Sequence, residues 1–437
     1  MLEDNNSDML PVVLKNASEE GRNWDYADYS FLNSSGNKKR PLDEESEKDE
    51  EEDDESLRKK LPQHPDTPDI EEVQHTPHNF NHHGNDMDYN DPSTFINPLG
   101  KDLTVSCLLC LSRSYYGTVA SINTSFRSLI QSGQLYQLRR QEEITEYWIY
   151  FSCTPIEWEA YDPYRGLWIH VPRMPPTGSF MCSDKESLAV GTDLLVFGKE
   201  FSSHIVMRYS ILTNSWSRGV VMNSPRCLFA SASLGEKAIV AGGSDAMGKP
   251  LDSVELYNSE TQTWQTLPSM TRARSMCSGA FMDGKFYVLG GMDQNKKVLT
   301  CGEEYDFERH SWREIPEMSN GLNGASGAAP PLVAVVNNEL YAGHCADNEL
   351  RKYIKGDNRW VTLGQLPERS TSLNGWGLAF RACGERLVVI GGPRVDRPHI
   401  GGIQLNYWIP NERPPEWNLL AWKQSGSFVY NCAVMGC

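Results

Sequence analysis

The 437 residues include 58 acidic and 41 basic side chains, a net charge of −17, with 39% hydrophobic and 10% aromatic residues. The chain is long enough for more than one domain, lacks the basic balance of a nucleic-acid binder, and has too few cysteines, eleven, for a disulfide scaffold. No run of eighteen apolar residues occurs and the first thirty have neither a basic start nor an apolar core, so we expect a soluble, intracellular protein with no membrane span.

Residues 1–98 hold 25 acidic and 9 basic side chains, which accounts for −16 of the net charge. Within Asp43 to Glu55 eleven of thirteen residues are acidic. High charge with few periodic apolar residues predicts a disordered acidic tail. Two basic clusters, Lys38-Lys39-Arg40 and Arg58-Lys59-Lys60, flank the acidic run in the manner of a two-part nuclear import signal, so localisation is expected in the nucleus, the cytoplasm or both. Five histidines of the tail, His64, His75, His78, His82 and His83, have no carboxylate or cysteine pattern to fix a metal geometry.

Over residues 99–140 the spacing becomes helical. Leu103, Cys107 and Leu111 recur at intervals of four, and Val119, Ile122, Phe126, Leu129 and Ile130 mark a second face. The segment reads as a compact all-α module of about forty residues, too small to be stable without a neighbour. Cys107 and Cys110 form a C-x-x-C, but no second pair follows, so no zinc site is expected.

From residue 146 to 437 the chain repeats. Trp168, Trp216, Trp264, Trp312 and Trp360 stand 48 residues apart, each with a tyrosine seven residues earlier, at 161, 209, 257, 305 and 353. In the clearest copies an apolar run ends in Gly242-Gly243 or Gly290-Gly291, a polar loop follows, and then come the tyrosine and tryptophan segments. Four short strands per unit at a period near 50 predict kelch blades in a β-propeller, with glycine pairs where backbones pass closely and aromatic rings filling the space between blades. Trp408 stands in the tyrosine position of a sixth copy and Trp417 is its repeat tryptophan. The first copy lacks a leading apolar run and the chain finishes in one, Phe428 to Val434, so the last strand is expected to complete the first blade and latch a six-bladed ring.

The string CLSRSYYGTVASINTSFRSLIQSGQLYQLRR at 110–140, with its Ser-Arg-x-Tyr-Tyr turn and Phe-Arg-Ser-Leu, followed by these repeats, resembles the F-box of plant F-box/kelch-repeat proteins. Two positions depart from that pattern, Gly100 where the family has proline after leucine, and Gly117 where it has proline after Tyr-Tyr; glycine there should loosen both helix starts. The resemblance implies a non-catalytic substrate receptor of a cullin-RING ubiquitin ligase. Its F-box would dock on a Skp-type adaptor through Leu103, Leu108, Leu111, Tyr115, Tyr116 and Val119, while the propeller holds a target protein near the ubiquitin-charged enzyme. Positions leading into the innermost strands line the mouth of kelch rings. Here they are Arg226, Arg272, Arg274, Ser275, Ser278, Arg369 and Ser370, with Trp376 nearby, and repeated arginine suits an acidic or phosphorylated target.

Two other readings compete. A scaffold whose F-box no longer docks fits the two lost prolines. An enzyme acting on a small molecule would need converging histidines and carboxylates, yet His170, His204, His310, His344 and His399 fall at unrelated points of the repeat. No Gly-x-Ser-x-Gly elbow, P-loop, dinucleotide fingerprint or His-Glu-x-x-His helix is present, so no catalytic residue, cofactor or metal is expected.

Overall fold

The computed structural model describes residues 100–437 except 176–179, 201–202, 323–328, 370–373, 394–400 and 411–413. The acidic tail, its basic clusters and its histidines lie outside the described residues.

Four short helices open the described chain: α1 (Gly100–Cys110), α2 (Tyr116–Ile122), α3 (Thr124–Gln131) and α4 (Gln134–Gln141), with a 3₁₀ turn at Arg113–Tyr115. Local chemistry sets their limits. Asn123 caps α3 by accepting from the Phe126 amide at 2.9 Å. Gly133, at φ +78°, turns the chain into α4. The expected loosening at the two glycines does not abolish either helix. Gly100, at φ +70°, begins α1, and Gly117 lies inside α2 with open space around it; the residue ahead of α2, Tyr115, makes no side-chain cap.

Twenty-four described strands form six antiparallel four-stranded sheets. The first blade contains β1 (Tyr147–Ser152), β2 (Trp158–Asp162) and β3 (Leu167–His170); the second, β4 (Phe180–Val190), β5 (Asp193–Glu200), β6 (Ser203–Ser210) and β7 (Ser215–Arg218). The third holds β8 (Ala230–Leu234), β9 (Lys237–Ala241), β10 (Val254–Asn258) and β11 (Thr263–Leu267), and the fourth β12 (Ser275–Met282), β13 (Lys285–Met292), β14 (Gly302–Asp306) and β15 (Ser311–Ile315). In the fifth are β16 (Leu332–Val336), β17 (Glu339–His344), β18 (Glu349–Ile354) and β19 (Arg359–Gln365); in the sixth, β20 (Ala379–Cys383), β21 (Arg386–Gly391), β22 (Ile403–Trp408) and β23 (Asn418–Lys423). The last strand, β24 (Asn431–Gly436), pairs with β1 from Tyr147↔Gly436 to Ser152↔Asn431 and so completes the first blade. The innermost strands β24, β4, β8, β12, β16 and β20 touch in a closed ring.

The repeated aromatic pair closes the space between blades. Tyrosine and tryptophan are partners across the third and fourth strands, as in Tyr257↔Trp264, with ring centroids 4.8 to 5.3 Å apart in five blades. The tyrosines are buried, whereas the tryptophans are half-buried, less covered than core filling would make them. Four of these five half-buried indoles also reach the preceding blade. The indole N–H donates to the carbonyl of Pro172 from Trp216 (2.7 Å), Val220 from Trp264 (2.9 Å), Pro268 from Trp312 (2.7 Å) and Met318 from Trp360 (2.8 Å). In the sixth blade Trp408 takes the tyrosine place opposite Leu387, and Trp417 donates to the Gln365 carbonyl at 2.8 Å. Trp264→Phe removes this bond while keeping most of the ring, so we expect a loss of about 1 kcal/mol in denaturant unfolding; an unchanged midpoint would mean that the indole bond contributes nothing to blade contact.

The glycine pairs serve close backbone approach. A Cβ on Gly243 (φ +90°) would lie 2.6 Å from the Cys227 carbonyl, and one on Gly291 (φ +96°) 2.6 Å from that of Ser275. No described helix is long and apolar enough to cross a membrane.

Candidate interaction sites

The helical module shares a core with the propeller. Val105, Leu108, Tyr116 and Tyr136 belong to one buried cluster with Trp148, Tyr150, Met207, Tyr209 and Met435. Two buried arginines hold the seam; Arg113 belongs to the Ser-Arg-x-Tyr-Tyr turn, but nothing in the spacing of either residue marked it as a buried anchor. Arg113 lies 4.0 Å over the Trp148 ring and donates to the Met435 carbonyl and the Cys437 thiol. Arg139, 1% exposed, donates to the carbonyls of Leu109 (3.2 Å) and Leu111 (2.8 Å) and pairs with Glu146 at 3.0 Å. Glu146 also accepts from the Ser112 hydroxyl, and its backbone exchanges both hydrogen bonds with Cys437.

This seam divides the proposed docking residues. Leu108 (4% exposed), Tyr116 and Val119 face inward and build the module. Tyr116 donates its hydroxyl to the Leu108 carbonyl at 3.0 Å, and burial raises its pKa above the ordinary tyrosine value despite the nearby Arg139. These three are therefore corrected from docking groups to core, since an i, i+4 spacing does not say which of two apolar faces turns outward. Leu103 (56% exposed), Leu111 and Tyr115 remain open to solvent, joined by Ile122 and by the exposed Cys107 and Cys110. On α1 the positions 103, 107 and 110 fall on one exposed helical face, and Leu111 follows directly after the helix.

The module sits on the face formed by hairpin turns. Gly133 approaches the Leu212 side chain in the β6–β7 turn, Arg140 pairs with Glu236 in the β8–β9 turn, and the Cys437 thiol points at the Gly191 carbonyl after β4. Because neighbouring strands are antiparallel, the segments leading into the innermost strands lie at the opposite end of the blades.

At that opposite end the arginines do not form an open ring. Arg226 and Arg274 are 1% and 0% exposed. Each is bound within its own blade: Arg226 to the carbonyls of Gly242 and Ser253 and to Glu255 at 2.7 Å, Arg274 to those of Gly290 and Cys301 and to Glu303 at 2.6 Å. The glutamates in turn accept backbone amides of the incoming loop, Asn223 and Ser224 on Glu255, Thr271 and Arg272 on Glu303. The ion pair thus ties that loop to the second and third strands, and Arg226 and Arg274 are corrected from target-binding groups to internal staples. A signal for this existed, since Glu255 and Glu303 also stand 48 residues apart, each 29 after its arginine.

The other target-site candidates scatter. Ser275 is buried in β12, and Ser278 donates to the Pro331 carbonyl of the next blade at 2.6 Å. Arg369 is half-buried against Asn406 at 2.5 Å, which occupies the glutamate place of this blade, and burial without a carboxylate pushes its pKa down to about 10. Arg272 is exposed and paired with Glu314 at 2.7 Å. Trp376 is half-buried between Gly375 and Gly377, and Ser370 lies outside the described residues. Arg272 is thus the exposed candidate, while Trp376, Ser278 and Arg369 keep part of their surface.

Of the five body histidines, His399 lies outside the described residues, and the others occupy four different blades. No group of three or more metal-binding side chains occurs among the described residues.

The family model for the Kelch motif matches residues 225–271 and 273–319, the third and fourth blades with both arginine staples. Relatives in Arabidopsis thaliana extend further. The chain is 57% identical to F-box/kelch-repeat protein SKIP11 across 82% of its own length and 78% of that protein. It is 56% identical to a second F-box/kelch-repeat protein, covering 79% of this chain and 84% of the relative, and 48% identical to a third, covering 79% and 80%.

Proposed function

The chain belongs to the F-box/kelch-repeat proteins, and from that premise we propose that it is the substrate-recognition subunit of a Skp-cullin-F-box ubiquitin ligase. The helical module docks on the Skp-type adaptor, and the propeller presents a target protein for ubiquitination. The observation that carries this reading is the exposed stripe of Leu103, Cys107, Leu111 and Tyr115 on a module otherwise welded to the ring. A shared core and a buried arginine seam hold the adaptor face at a fixed place relative to the propeller, which suits catalysis by proximity; the chain then needs no nucleophile of its own. We further propose that the target binds at the end of the blades opposite the module, where Arg272 and Trp376 are accessible, and that the protein works in the nucleus, the cytoplasm or both.

The test uses outward residues only. Leu103→Asp with Leu111→Asp is expected to abolish co-purification of the adaptor, because an unpaired carboxylate enclosed in an apolar interface costs several kcal/mol. The melting temperature should stay within a degree or two, since surface changes away from the core are usually worth under about 0.5 kcal/mol. Retained binding would move the docking surface elsewhere and favour the scaffold reading. Leu108→Asp is unsuitable, because it charges the module core.

A further inference from the structure

The C-x-x-C of α1 is a motif that neither the propeller nor the seam uses. Among the described cysteines only Cys107 and Cys110 are exposed. Burial pushes several thiols of the propeller up, Cys153 to about 11 and Cys383 and Cys432 to about 12, so these three hold few reactive thiolates at neutral pH. The exposed pair stands three residues apart on the stripe proposed above as the adaptor face, between Leu103 and Leu111. Helix geometry puts their Cα atoms about 5 Å apart, within the span a disulfide bridges.

We propose that Cys107 and Cys110 are an oxidisable dithiol that governs docking: joined as a disulfide, they distort the adaptor face and release the partner. This inference rests on the docking reading. Hydrogen peroxide is the class of oxidant required. One thiol attacks a peroxide oxygen to give a sulfenic acid and a water; the second attacks the sulfenic sulfur, forms the S–S bond and releases a second water, so the dithiol loses two electrons and the peroxide gains them. Unlinked side chains at i, i+3 have Cβ atoms about 5 to 6 Å apart, against about 3.5 to 4.5 Å in a disulfide, so the bond must tighten the turn that carries it.

That turn is the end of α1, where regular hydrogen bonding stops at Cys110. Its carbonyls are already held from elsewhere, Leu108 by the Tyr116 hydroxyl and Leu109 and Leu111 by Arg139. With that end held, tightening shifts the Cys107 turn and Leu103 relative to Leu111 while the anchored seam beneath stays in place. The propeller fold is therefore left intact as the docking face changes.

The experiment uses the full chain and purified Skp-type adaptor. Affinity is measured on protein kept reduced, on protein treated with hydrogen peroxide, and on the treated protein after dithiothreitol, with peptide mass spectrometry locating the bridge. We expect a Cys107–Cys110 linkage, affinity weakened by about tenfold or more on oxidation, and full recovery on reduction. The single variants Cys107→Ser and Cys110→Ser, neither able to close the bridge, should each keep after peroxide the affinity it had before treatment, whatever the serine itself does to docking. Oxidised protein binding within about twofold of reduced, absence of the bridge, or equal peroxide sensitivity in both serine variants would each overturn the proposal. Failure of the reduced chain to bind at all would instead remove the docking reading, and this inference with it.

Discussion

Arg274→Ala is expected to destabilise the propeller by about 3 to 5 kcal/mol, the loss typical when one partner of a buried ion pair is removed. Against a usual total of about 5 to 15 kcal/mol this is a large fraction. The reason is local. The guanidinium, 0% exposed, holds two carbonyls and Glu303, and its removal leaves a buried carboxylate without its cation and two buried carbonyls without donors. Arg274→Lys should recover little, because a single ammonium cannot reproduce the planar fork that reaches Gly290, Cys301 and Glu303 together. Replacing Glu303 as well would not restore stability either, since the amides of Thr271 and Arg272 would lose their acceptor. Thermal unfolding of the wild type, Arg274→Ala and Arg226→Ala settles the matter. Target capture should fall only in proportion to folded protein; an unchanged melting temperature with lost capture would return both arginines to the recognition surface.

Deletion of Phe428 to Cys437 is expected to cost more, and to abolish cooperative unfolding. It removes β24, which is paired to β1 along six residues and touches β4 and β20 in the inner ring. The first blade would expose the buried faces of Ile149, Tyr150 and Phe151, all under 2% exposed, and the ring would open at one seam. The damage extends to the helical module. Met435 and Cys437 accept the Arg113 side chain, and the backbone of Cys437 fastens Glu146, the partner of Arg139. A truncated chain should therefore lose adaptor docking along with propeller structure, as read by circular dichroism and co-purification. A sharp, native-like transition in the truncated chain would show that the ring closes without its last strand.

The architecture was legible because a propeller repeats its physics. Every blade meets the same neighbours, so Tyr257 and Trp264 recur every 48 residues wherever the same gap must be filled, and even the displaced pair Trp408 and Trp417 can be placed by it. The closing strand was legible for a related reason, since a blade with three strands of its own must find a fourth. Even so, the period overstated the burial of the tryptophans: in Trp216, Trp264, Trp312 and Trp360 the indole N–H bonds a carbonyl of the preceding blade while part of the ring stays wet.

Only the tertiary structure decided which repeated and which apolar groups face outward. Arg226 and Arg274 repeat at 48 residues as a rim would, yet buried staples must repeat at the same period, and exposure is what separates them. Likewise Leu108 and Leu111 are both apolar residues of the segment that includes α1, and it is the packing beneath, of α4 with Tyr136 and of the propeller with Trp148, that makes one core and leaves the other on the surface. Spacing along a chain records that a residue meets the same surroundings in each copy. Whether those surroundings are protein or water is set by contacts between segments far apart in sequence, such as Arg113 with Met435, which no local period can encode.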